Sequence, residues 1–320
     1  MRQRITAYSE QELTKIGDVD VRFCTLKLSM KYINVVLKVY ISKPADYPHS
    51  PSKLLLYLTG GTGHKSINNQ LQADKFASEG FLVVVPDQYV FSACLLMHLM
   101  CLTGNHRFGG DLAPGNKAST VATAELSLLE RVKAGIADVG KSFMIDTWLA
   151  RQTPEKVLPI LHKVIEAAKD EFADAIANGG GIYAVGYCVG ARYLLLLGGA
   201  DDDETQDQSN YDEEEQAVPA PKGPYIKAGA IAHAAQVAPM DLANLKVPTL
   251  LICVENDPLF PSEIRQGGVE ALEKGNIKHE LKVYPEVPHG FAVVGEYADP
   301  KIKEAQQQAY TQMLGWLQAH

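Results

Sequence analysis

One cysteine sits in a pattern that could make it reactive. Gly186-Tyr187-Cys188-Val189-Gly190 follows an apolar run at 182–185 and precedes a second apolar run at 191–197. Strand, sharp turn and helix, with Gly-x-Cys-x-Gly at the turn, is the cysteine form of a nucleophile elbow. The glycines answer a steric need, because side chains at 186 and 190 would collide with the neighbouring strand and helix. Cys188 would then stand at a helix N-terminus, where the dipole and unpaired N–H groups favour a thiolate. The alternative is a buried structural cysteine beside ordinary strand-end glycines, so the partners decide.

A thiol nucleophile needs a base to take its proton, and the base needs an orienting acid. The apolar run at 247–254 leads into Glu255-Asn256-Asp257-Pro258, and the run at 278–284 leads into Pro285-Glu286-Val287-Pro288-His289. Asp257 and His289 thus follow Cys188 in the order nucleophile, acid, histidine. Both would lie beyond strand C-termini, the edge where α/β sheets place their sites. Glu255 is a rival acid. A glycine-rich loop, Thr59-Gly60-Gly61-Thr62-Gly63-His64, follows the run at 54–58. Its backbone N–H groups could serve an oxyanion or a phosphate, though the spacing fits neither phosphate-binding glycine motif. His64 could touch substrate, and His233 could line the pocket or merely pack.

These residues need a frame, and the periodicity supplies one. Continuous apolar runs at 54–58, 81–85, 182–185, 228–232 and 247–254 read as strands covered on both faces, and 278–284 reads as a strand of alternating character. Helical spacing marks 68–78, 191–197, 262–274 and 301–317, with one long helix over 154–177. Two further strands at 19–23 and 35–41 read as an antiparallel edge hairpin. The expected fold is α/β, a doubly wound, mostly parallel sheet with helices on both faces. It is expected to form one domain over 1–320, with an apolar insertion near 89–115 and an acidic, unstructured loop near 200–222. The apolar insertion could form a lid; 126–150 has mixed helical character.

The composition excludes several functions. The net charge is −8, but 201–215 alone holds nine acids and no Lys or Arg. Without that stretch, 29 acids face 30 basic residues. No footprint for nucleic acid or an anionic membrane remains. The five cysteines, Cys24, Cys94, Cys101, Cys188 and Cys253, are scattered and odd in number. They make no disulfide framework. Cys94, His98 and Cys101 share a helical face but would need a fourth ligand, so neither metal nor cofactor is expected. With no signal-peptide core and no apolar run of the ~18 residues that a span requires, a cytoplasmic protein is expected.

The assembled motifs resemble the dienelactone hydrolase family of α/β-hydrolases, in its fungal branch. The residues carrying the likeness are Leu56-Tyr57-Leu58-Thr59, Asn68-Asn69, Gly80-Phe81, Pro86-Asp87, Gly186 to Arg192, Glu255-Asn256-Asp257 with Phe260-Pro261, and Pro288-His289-Gly290-Phe291-Ala292-Val293. The resemblance implies the α/β-hydrolase fold, Cys188 as nucleophile, Asp257 as orienter, His289 as base, and the Gly61 and Val189 amides as oxyanion hole. Substrate contacts are assigned to His64, Tyr187, Arg192, His233 and Phe291. Two departures stand out. Gly60 replaces an acidic residue common just before the oxyanion-hole position, and Val293 and Val294 occupy the neighbourhood of a bacterial carboxylate-binding arginine. An ester or lactone less charged than dienelactone is therefore expected. Thioester cleavage and acyl transfer would use the same residues. A non-catalytic small-molecule binder on this fold is the remaining alternative. The protein is expected to be a monomer or a homodimer.

Overall fold

The central apolar runs pair edge to edge. The computed structural model describes residues 11–16, 19–29, 34–89, 150–199 and 223–320. Residues 90–115 of the apolar insertion, with Cys94, His98 and Cys101, nearly all of the 126–150 stretch, and the acidic loop lie outside them. Among the described residues, nine strands form one sheet: β1 (Gln11–Ile16), β2 (Val19–Ser29), β3 (Asn34–Lys43), β4 (Lys53–Leu58), β5 (Phe81–Pro86), β6 (Tyr183–Tyr187), β7 (Ala228–Ala232), β8 (Thr249–Val254) and β9 (His279–Tyr284). Their order is β1-β2-β3-β5-β4-β6-β7-β8-β9. The pairings from β1 through β3 to β5 are antiparallel, and those from β5 through β4 to β9 are parallel.

Seven helices accompany the strands among the described residues: α1 (Ile67–Ser78), α2 (Pro154–Glu171), α3 (Ala173–Gly179), α4 (Val189–Gly198), α5 (Pro239–Ala243), α6 (Ser262–Lys274) and α7 (Pro300–Ala319). Side chains alternate along a strand, and here the alternation sorts the core into two layers. Leu54, Leu56 and Leu58 of β4 join Val157, Leu161 and Val164 of α2 and Leu194 of α4. Leu55 and Tyr57 join Phe76 of α1 and Met313 and Leu317 of α7. Helices therefore cover both faces, as the sequence predicts.

The sequence misplaces some boundaries. The hairpin strands run longer than 19–23 and 35–41, and β1 adds an edge strand outside them. The helix predicted over 154–177 is two helices, broken at Phe172, whose φ of −124° and ψ of 38° leave the helical basin. The apolar periodicity runs unbroken through the break because Leu161, Val164, Phe172 and Ala175 all enter one core layer. Neither Gly nor Pro marks it.

The strand order fixes where a site can form. From β4 the chain moves outward to β5, then returns to place β6 on the other side of β4. The carboxyl ends of β4 and β6 therefore flank a reversal in strand order, where the connections leave a crevice. The glycine loop follows β4 and Cys188 follows β6.

Candidate active site

Cys188 is the first non-helical residue before α4, and its backbone is strained, with φ 54° and ψ −123°. A non-glycine residue in that region costs on the order of 1–3 kcal/mol and persists only when its surroundings hold it. Here they do. The Cys188 N–H donates to the Ala232 carbonyl at 3.2 Å, and the Cys188 carbonyl accepts from Ala235 N at 3.1 Å and Ala191 N at 3.1 Å. The turn after β7 thus brackets the elbow. The two glycines leave room for it. A Cβ on Gly186 would lie 2.7 Å from the Ala191 Cα, and one on Gly190 would lie 2.3 Å from the Leu58 carbonyl oxygen.

The glycine loop lies directly against the thiol. A Cβ on Gly60 would sit 3.0 Å from the Cys188 Cβ and 3.7 Å from its Sγ. Gly61 follows at once, and Val189 opens α4, where first-turn N–H groups have no intrahelical acceptor. The loop is pinned by Asn69, whose Nδ2 donates to Thr62 Oγ1 at 3.0 Å and to the Gly63 carbonyl at 2.8 Å. Tyr57 OH in turn donates to Asn69 Oδ1.

On the far side of β7, the loops after β8 and β9 meet. His289 Nδ1 lies 2.7 Å from Asp257 Oδ2. The other carboxylate oxygen accepts from Leu259 N at 3.0 Å, so both oxygens are engaged and the acid cannot turn away. The Asp257 side chain is 1% exposed and that of His289 8%, which keeps water from screening the pair. Glu255, the rival acid, is exposed and makes its contact with Asn256 Nδ2 instead.

Burial alone would push the His289 imidazole down. The nearby Cys188 sulfur and the Asp257 hydrogen bond outweigh it and push the ring up to about 10. Nδ1 is engaged by Asp257, while the buried Nε2 has no hydrogen-bond partner among the described residues.

The remaining sequence candidates separate. The structure brings His233 to the His289 imidazole, ring edge-on at 4.9 Å. Burial, followed by the charge on His289, holds His233 well below the usual histidine range, so it is neutral. His64 belongs to the glycine loop and is paired through Nδ1 with Asp87 Oδ1 at 3.2 Å. Tyr187 and Phe291 are completely buried. Tyr187 stacks on Tyr57, and its OH lies against Gln72 and Met313 under the α1/α7 layer. Phe291 packs on Tyr284. Arg192 is tied by Nε to Asp241 Oδ2 at 3.0 Å, and the same carboxylate oxygen accepts from Ala238 N at the start of α5. Tyr187 and Phe291 also meet the His233 ring, at 5.8 and 6.3 Å between centroids. Alternation along β6 carries the signal for Tyr187, which shares a face with Tyr183 and Val185. Cys253 is a core thiol that burial pushes up to about 12, away from any nucleophilic role.

Residues 216–320 match the model of the dienelactone hydrolase family. That match spans about a third of the chain. The matched stretch contains Asp257 and His289, while Cys188 precedes it. Similarity to individual proteins runs much further along the chain. Hydrolase tropI of Talaromyces stipitatus is 24% identical over 282 residues, covering 88% of this chain and 85% of that protein. Dienlactone hydrolase 1 of Gibberella moniliformis is 28% identical over 278 residues, covering 87% and 82%. Among solved structures, esterase 2 of Thermogutta terrifontis aligns over 94% of this chain and 96% of its own, with a TM-score of 0.55 and 14% identity. A Klebsiella pneumoniae protein described as a dienelactone hydrolase aligns with a TM-score of 0.60 and 15% identity, over 94% and 99%. These two likenesses speak to the fold. The late-loop motifs that carry the family likeness fall within the matched stretch.

Proposed function

We propose that this chain hydrolyses an ester or lactone of a small, weakly charged molecule through Cys188, His289 and Asp257, by way of a thioester on Cys188. Ester-bond hydrolysis is supported by the family match over 216–320 and by the hydrolase relatives. The observation that carries the mechanism is His289, bonded to Asp257 on one side and charge-coupled to the elbow cysteine on the other.

The steps follow from those positions. The Cys188 thiolate adds to the substrate carbonyl carbon, and the carbonyl electron pair moves onto oxygen. The Gly61 and Val189 amides receive that oxyanion, each donor contributing on the order of 3 kcal/mol to the transition state. Collapse breaks the carbon–oxygen bond, and the departing alkoxide takes the proton of the His289 imidazolium. Formation of the thioester removes the sulfur's negative charge, which is the leading cause holding the imidazole up. Burial then dominates, and His289 becomes a neutral base at working pH. It takes a proton from water as the water oxygen attacks the thioester, and collapse expels thiolate and carboxylic acid. The imidazolium is thereby restored. Asp257 keeps Nδ1–H turned inward throughout, so Nε2 faces the chemistry.

A pH dependence follows. Activity that needs the imidazolium for leaving-group protonation falls as pH rises through about 10, where that proton is lost. Cys188→Ala removes the sulfur's charge and leaves burial as the main influence, so the His289 titration moves down, well below about 10. Imidazole NMR signals followed against pH read this shift. An unmoved titration in the variant would uncouple the two residues.

Among the described residues no helix is long and apolar enough to cross a membrane. A reducing, cytoplasmic setting belongs to the proposal because it preserves the thiol. The preference for a weakly charged substrate rests on Arg192 being occupied by Asp241 and on Val293 and Val294 after the histidine.

The test is to trap the intermediate. An ester with a slowly hydrolysed acyl group should add the acyl mass to the peptide bearing Cys188, and to no other. Turnover with the label elsewhere, or with no label under quench conditions, would overturn the reading.

A further inference from the structure

Two successive glycines in an oxyanion loop pose a physical problem. Preorganised donors stabilise a transition state only if they need not reorient during the reaction. Gly60 and Gly61 have the widest backbone freedom of any residue. A stiffening device must come from elsewhere.

The structure holds one on each side of Gly60. The Thr59 carbonyl oxygen accepts from Tyr89 OH at 2.9 Å and from Gln88 Nε2 at 3.2 Å. Both of its lone-pair directions are taken. The next carbonyl, that of Gly60, accepts from Gly63 N at 3.1 Å. A peptide unit is planar and trans, so fixing a carbonyl fixes the N–H that follows it on the opposite side. The Gly60 carbonyl thus sets the direction of the Gly61 N–H. The Thr59 carbonyl sets the plane before it, and only the two dihedrals of Gly60 lie between them. The Thr59 oxygen also lies against the elbow, 2.6 Å from where a Gly190 Cβ would be. Gln88 and Tyr89 are both nearly fully buried, so water does not compete for these bonds.

We propose that Gln88 and Tyr89 are positioning residues of the oxyanion hole, clamping the Thr59 carbonyl so that the Gly61 N–H is already aimed when the thiolate attacks. This rests on the thiol-hydrolase reading given above. The two residues act through the loop and touch no reacting atom.

The test separates loop positioning from general damage. Tyr89→Phe removes one hydroxyl and keeps the ring; Gln88→Met keeps the volume and removes the donor. Three quantities are read on each variant and on the pair. The first is kcat and KM on a p-nitrophenyl ester. The second is affinity for an aryl trifluoromethyl ketone, to whose carbonyl carbon the thiolate adds while the electron pair moves onto oxygen, giving an oxyanion with no leaving group. The third is the rate of Cys188 alkylation by iodoacetamide, a displacement that generates no oxyanion. Losing a whole oxyanion donor costs roughly 100- to 1000-fold, so loosening one should cost about tenfold per variant in kcat and in ketone affinity. KM and alkylation rate should stay within twofold. Unchanged kcat and ketone affinity in the double variant would overturn the clamp. So would an equal loss in alkylation, which would mean that the elbow itself had moved. Failure of the underlying reading looks different: wild-type protein would then bind the ketone no better than Cys188→Ala does.

Discussion

Asp257→Asn is expected to lower kcat by on the order of 10⁴, the loss that follows when a carboxylate-to-amide change reverses the histidine tautomer. The geometry explains why so small a change is so costly. Leu259 N donates to Oδ1, so an asparagine would turn its own oxygen to that amide. Its NH₂ would then face His289 Nδ1, across the 2.7 Å that now holds a charge-assisted bond. Two donors cannot share that line. The ring would present Nε2–H to the thiol and could no longer accept its proton. The imidazole would also lose Asp257's contribution to its raised position. Glu255→Gln is the matched control. Glu255 is exposed and its carboxylate contacts only its neighbour's amide, so kcat should stay within twofold. Steady-state kinetics on both variants, with circular dichroism to verify folding, decides the assignment. A large loss in Glu255→Gln with a small one in Asp257→Asn would transfer the role to Glu255.

The second large effect is on stability. Gly190→Ala places a methyl 2.3 Å from the Leu58 oxygen, 2.6 Å from its carbonyl carbon and 2.6 Å from the Thr59 oxygen. All three are backbone atoms of β4 and its loop, so no side chain can rotate away. Either α4 moves off the sheet or the end of β4 bends. Overpacking of this kind typically costs about 1–3 kcal/mol and more where backbone must move, so a loss above about 3 kcal/mol is expected. What survives should have a displaced oxyanion loop and little activity. Gly267→Ala in α6 makes the opposite prediction. A Cβ there meets nothing within 4 Å. Replacing a mid-helix glycine should stabilise by about 0.5–1 kcal/mol. Urea unfolding of the two variants beside wild type measures both signs at once. A Gly190→Ala protein as stable and active as wild type would remove the steric basis of the elbow.

Much of this was legible in the residues, for reasons that differ by element. The inner parallel strands β4 to β8 were found within one or two residues because each is buried on both faces and reads as an unbroken apolar run, as Leu54 to Leu58 does. Strand β1 was not, since Gln11, Glu12, Thr14 and Lys15 leave no apolar signal at the sheet edge. Cys188, Asp257 and His289 could be chosen because each stands immediately beyond a recognisable strand, in a fixed chain order. The surroundings of their neighbours were not legible. Tyr187 adjoins the thiol in sequence, yet its ring stacks on Tyr57 and its hydroxyl lies against Gln72 and Met313, contacts that no local spacing announces. The clamp on Thr59 had no sequence signature at all. It joins the end of β4 to residues 29 and 30 positions away through side-chain to backbone bonds, which follow no spacing rule.

The central claim is covalent catalysis by Cys188, and the most direct measurement is pre-steady-state release of p-nitrophenol from a graded series of p-nitrophenyl esters. Wild type and Cys188→Ala are mixed side by side in a stopped-flow instrument. The account predicts a burst approaching one equivalent per active site in wild type, then slower turnover, with both absent in Cys188→Ala. A burst and turnover that persist in Cys188→Ala would contradict it.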